Sequence, residues 1–254
     1  MNYRLLIPAG LLSMLVGLVL WLPASVAAGW IERAVPGLNL SGLGGSAING
    51  RAALVTYQNA ALEDVGWTLH PLALLTGRVK VSLQTGTDTG QLSADLVRSL
   101  GGQVRVSSVN GSASLATLAA HAGYRFLPTD GVLRLFDVSA EVEPAGDTAR
   151  LNQVAGTVVL DDSHWLLVRP PIALGRFEAI LETRDEKNRL RVVESDGPIA
   201  VEGMAELDPG NNYSLDMKLR PRSGADARLQ KMLGQMGRPD ASGWYPVRER
   251  GSLQ

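Results

Sequence analysis

The chain has 254 residues, 19% of them charged, with a net charge of -1 and a pI near 6.3. Such a balance offers no basic field for nucleic acid, and the lack of cysteine removes disulfides, thiolate metal sites and cysteine nucleophiles together. Twenty-eight glycines with only 5% aromatics point to a turn-rich β protein.

The first element in chain order is apolar. Leu5 to Leu22 form eighteen residues without a charge, close to the roughly 20 needed to span a bilayer. Tyr3 lies at one end, and Trp21 and Trp30 lie toward the other, where indoles favour the interface. A signal h-region holds only about 7 to 15 apolar residues, so the segment reads as an uncleaved signal anchor. The alternative is a cleaved signal, for which Pro23 to Ala28 supply small residues. Either reading exports the remainder of the chain, to the periplasm for a bacterial protein. The expected organisation is an anchor over 1–28 with its helix at 5–22, a flexible Gly-rich stalk over 29–47 and a periplasmic β-rich domain over 48–254. Gly42-Leu43-Gly44-Gly45-Ser46-Ala47 fits the dinucleotide pattern G-x-G-x-x-A. It lacks a buried strand before it and a helix after it, so it is read as part of the stalk.

Beyond the stalk, apolar residues alternate with polar ones. Val79, Val81 and Leu83, then Val138, Ala140 and Val142, then Tyr213, Leu215, Met217 and Leu219 mark strands with one dry and one wet face. Turns are expected at Asp130-Gly131, Pro144 to Asp147, Asp161-Asp162, Asp196 to Pro198 and Asp208 to Asn212. Short helices are expected over 91–100, 115–122 and 227–236, with a glycine stop at Gly234 or Gly237 and a last strand over 244–253.

Two internal repeats run through this region. Apolar-x-Gly-x-x-x-Leu recurs as Ile48-Gly50-Leu54, Val109-Gly111-Leu115, Val154-Gly156-Leu160 and Val201-Gly203-Leu207. A longer motif occurs twice, with Trp67, Leu69, Pro71 and Gly77 matched in order by Trp165, Leu167, Pro170 and Gly175. Catalytic loops are rarely duplicated, whereas a strand, a corner and a returning strand are reused by sheets. These eight residues are therefore expected as structural anchors.

The chemistry-bearing residues form no catalytic spacing. His70, His121 and His164 stand alone, without H-x-x-x-H or H-E-x-x-H. Ser163 and His164 are neighbours on a strand and point to opposite faces, which denies them a nucleophile–base contact. No G-x-S-x-G elbow occurs. The expectation is a non-enzyme without cofactor or metal. The mixed-sign run Arg184 to Arg189 reads as a hairpin tip, and Arg184, Lys187 and Arg189 are its candidate partner contacts.

The N-terminal anchor, Val65 to Val81 (VGWTLHPLALLTGRVKV), Asp130 to Leu135 (DGVLRL) and a tail carrying Leu229 to Gly234, Gly237 to Asp240, Gly243-Trp244-Tyr245 and Gly251-Ser252-Leu253 together resemble the type II secretion system protein N family. The resemblance implies a single-pass protein of the bacterial inner membrane whose periplasmic domain contacts other secretion components and catalyses nothing. The expected fold is mainly β: a transmembrane helix, then an antiparallel, repetitive sheet forming a curled sheet or open groove, with a few short helices. Lipid is the other expected partner, since such a groove could hold acyl chains as a binding or transfer protein does.

Overall fold

A computed structural model describes residues 22–57, 60–87, 90–121, 127–145 and 148–252. They are mainly antiparallel β-structure with a few short helices. No described helix is long and apolar enough to cross a membrane, and the expected transmembrane segment lies almost wholly outside the described residues. The chain divides into two units, at 1–88 and 89–254.

In the first unit, α1 (Ala24–Ala34) precedes β1 (Leu38–Ser41), β2 (Gly44–Gly45), β3 (Asn49–Tyr57), β4 (Ala60–Leu69) and β5 (Arg78–Thr87). The order is β1-β3-β4-β5, with β2 paired to the start of β3. Residues 29–47, expected as a stalk, hold the end of α1 and the strands β1 and β2. The small residues Ala24 and Ala28 of α1 are buried, as are Ile48, Ala52 and Val65. Glu32 accepts from the Leu40 amide at 2.7 Å, occupying a donor of the edge strand. Gly50 lies opposite Trp67, and a Cβ there would sit 2.3 Å from the Trp67 ring. The indole thus covers the bare backbone, and its Nε1 donates to the Ala47 carbonyl at 3.2 Å.

The second unit is a meander in which each strand pairs antiparallel with the next: β6 (Gly90–Ser99), β7 (Val104–Ser114), β8 (Thr129–Ala145), β9 (Thr148–Trp165), β10 (Ile172–Arg184), β11 (Lys187–Asp196), β12 (Ile199–Leu207), β13 (Asn212–Pro221) and β14 (Tyr245–Ser252). Two helices interrupt it, α2 (Leu115–His121) and α3 (Ala227–Met236). The helix expected over 91–100 is β6. Leu92, Leu96, Val97 and Leu100 have helical spacing, but an irregularity between Ser93 and Asp95 lets a strand carry the same pattern. Asp130-Gly131 and Asp161-Asp162, expected as turns, lie inside β8 and β9 where the register shifts. Asp162 takes φ 51 there; bulges draw on the same Asp and Gly chemistry as turns. Of the expected turn at Pro144 to Asp147, Gly146 and Asp147 lie outside the described residues.

The tightest core sits under α3. Leu229 and Leu233, one helical turn apart, are fully buried against Ile172 and Ile199, with Trp165, Leu174, Phe177, Val201, Leu219 and Tyr245 around them. Asp226 caps the helix by accepting from the Arg228 amide at 2.8 Å, and Arg228 reaches back to the Pro170 carbonyl at 2.9 Å. Gly237, not Gly234, terminates the helix.

Leu233→Ala is expected to cost about 2 to 5 kcal/mol, read as a lower urea midpoint by tryptophan fluorescence. Leu100→Ala, at a side chain 91% exposed, should leave the midpoint unchanged. The Arg228 side chain and amide hold the Asp226 carboxyl below the usual carboxylate range. A depressed native pKa stabilises above the unfolded value of about 3.9 and loses that contribution as pH falls through the native one. Protection of α3 amides from exchange should therefore stay level from neutral pH to about pH 5 and drop only below about pH 4; Asp226→Asn should flatten that acid step.

Candidate functional site

The two copies of the tryptophan motif each begin at a strand's end but are placed and covered differently. In the first, Leu69 donates its amide to Ile48 at 2.7 Å and pairs with Val81. Pro71 then opens a 3-10 turn over Pro71–Thr76, and Gly77 closes it in the left-handed region at φ 69. In the second, Trp165 ends β9 opposite Thr129 and Ile172, Leu167 is 59% exposed, and Pro170 supplies the carbonyl that Arg228 holds. Gly175 takes φ 103 where a Cβ would meet Asp196. The residues between Pro170 and Gly175 of this copy, Ile172 and Leu174, lie under α3. Those between Pro71 and Gly77 of the first copy, Leu72, Leu74 and Leu75, are exposed.

Ser163 is buried and donates to the Gly175 carbonyl at 2.6 Å. His164 instead faces Asp130 at 3.4 Å and Asp162 at 3.8 Å, so hydroxyl and imidazole have separate partners. The His70 ring meets the Ser82 hydroxyl at 2.9 Å. No cluster of three metal-ligating side chains occurs among the described residues.

The run Arg184 to Arg189 forms a two-residue hairpin, with Asp185 and Glu186 at φ 53 and 62, the signature of a type I′ turn. Its three cations are not equivalent. Arg189 is half-buried, donating to Glu206 at 2.6 Å, and Lys187 shares that carboxylate at 3.6 Å. Arg184 is exposed and makes no ion pair among the described residues. Arg189 also reaches Asp185 at 3.5 Å, and Arg184, Asp185, Glu186 and Lys187 are the exposed side chains of the tip.

The second unit's sheet has two unlike faces. One carries charges linked across strands: Asp161 holds Arg134 and Arg176 at 3.2 Å each, and Arg176 also reaches Glu178 at 2.7 Å and Glu194 at 3.3 Å. Glu178 raises the Arg176 pKa above its ordinary value. The other face is apolar. Leu133, Leu160 and Phe177 stand in one cross-strand row, and Leu181, Leu190, Ala205 and Leu215 in another. Each of these is only half-buried; α3 covers the end of the face that holds Ile172 and Ile199, with Phe177 at the margin of that core.

The model for type II secretion system (T2SS), protein N, matches residues 36–248. The chain is 24% identical to the type II secretion system protein N of Vibrio cholerae serotype O1, with 94% of each chain covered. It is 23% identical to the protein of the same name from Aeromonas hydrophila, with both covered in full. No solved structure matches. With the family model spanning most of the chain and relatives aligning end to end, the chain belongs to the type II secretion system protein N family.

Proposed function

We propose that the protein is an accessory component of the type II secretion apparatus that acts by binding other components and not by catalysis. Residues 5–22 hold it in the bacterial inner membrane as a single pass, and residues 48–254 lie in the periplasm. The family match over 36–248 carries the assignment to the apparatus. The contact surfaces proposed for that role are the hairpin tip at Arg184 to Lys187 and the uncovered apolar face, while the duplicated tryptophan motif serves as framework. Specific docking needs an apolar centre with a polar rim, and the apolar rows with charged hairpins beside them supply both.

The same half-buried rows favour a second reading, in which the open face holds acyl chains. A chain lying along the sheet would remove Leu133, Leu160, Phe177 and Leu181 from water without any protein partner.

Deletion is expected to abolish export of type II substrates while leaving the envelope intact; unchanged export would end the assembly role. A photocrosslinker at Glu186 or Leu190 should capture a secretion component in the intact envelope. Native mass spectrometry separates the two readings, because phospholipid retained by the purified chain, and lost in Leu181→Glu, is expected only if the face holds acyl chains.

A further inference from the structure

Three leucines stand exposed on one turn of the first unit. Leu72, Leu74 and Leu75 are 78%, 47% and 84% exposed, and Pro71 to Gly77 contain no charged residue. Surface leucines are ordinarily scattered singly. The backbone of this turn is closed on itself: the Ala73 amide donates to His70 at 3.1 Å, the Gly77 amide to Leu74 at 3.0 Å, and the Thr76 hydroxyl to Ala73 at 2.8 Å. Internally paired polar groups are what an apolar phase demands of a backbone entering it. His70, Arg78 and Lys80 flank the turn, residue types suited to a headgroup layer.

The path of the chain into the unit indicates what covers the patch. Leu22, where the apolar segment 5–22 ends, accepts the Ala47 amide at 2.8 Å, and Pro23 bridges to Ser46. Ile48, the next residue after Ala47, accepts the Leu69 amide at 2.7 Å, and the leucine turn comes directly after Leu69 and His70. With neighbouring strands about 5 Å apart, the exit of the apolar segment lies roughly 10 Å from the start of that turn. Both occupy the same end of the sheet. Strands β3 and β4 carry Tyr57 and Ala60 to the opposite end.

We infer that the Pro71–Thr76 turn seats in the headgroup and upper acyl region of the phospholipid bilayer beside the anchor, so that the first unit stands on the membrane at two points. The inference rests on the anchor reading under Proposed function.

The chain has no cysteine, so single substitutions can carry an environment-sensitive fluorophore. Leu75→Cys, Tyr57→Cys and Val16→Cys are labelled in the full chain and reconstituted into phosphatidylethanolamine–phosphatidylglycerol vesicles. Labels at Val16 and Leu75 are expected to shift to the blue and be quenched by lipid-borne nitroxides, the one at Leu75 most strongly by a nitroxide near the headgroup. The label at Tyr57 should respond to aqueous iodide alone. Iodide quenching at Leu75 equal to that at Tyr57, with Val16 still in lipid, overturns the inference and leaves the anchor standing. A Leu75 label shielded from both quenchers assigns the patch to a protein partner and overturns it equally. A Val16 label in water defeats the anchor reading, and this inference with it.

Discussion

A sheet with one apolar face must cover that face or leave it to whatever comes near, and among the described residues of the second unit the fully buried cover is the ten-residue helix α3, seated at one end. The consequences are unevenly spread. Burial is concentrated around Leu229, Leu233, Ile172 and Ile199, while the rows from Leu133 to Phe177 and from Leu181 to Leu215 remain half in water. The continuous antiparallel ladder gives this sheet its geometry, and the ion pairs on its other face add little each, about 0 to 1 kcal/mol. An open apolar face that a single layer keeps in register is compatible with the proposed role.

The repeated apolar-x-Gly-x-x-x-Leu pattern shows how that register is kept. Gly203 lies in β12 at φ 134, where a Cβ would approach the Asp216 carbonyl of β13 to 2.2 Å. Glycine lets adjoining backbones close in, and the leucine four residues on, Leu207, returns to the apolar face opposite Tyr213. Leu54 and Leu160 likewise stay in their strands, whereas Leu115, the leucine of the remaining copy, opens α2.

Much of the fold was legible because it depends on nearest neighbours. Alternation located β5, β8 and β13, and the amphipathic stretch 227–236 located α3. What escaped depends on non-local facts. Asp130-Gly131 and Asp161-Asp162 carry turn chemistry, and only pairing with adjacent strands turns them into bulges. In the hairpin, Arg184 and Arg189 look alike in sequence; Glu206 on β12 distinguishes them, and that partner is set by strand register. Whether a second layer covers the apolar face is a property of the whole unit, which no window of sequence contains.

The final strand β14 lies at the end of the strand order among the described residues. It carries Pro246, which lacks an amide hydrogen, and exposed Arg248, Glu249 and Arg250. An unpaired strand at the end of a sheet offers a free row of backbone donors and acceptors to another chain. Proline and alternating charge make the addition of a further strand at this edge costly.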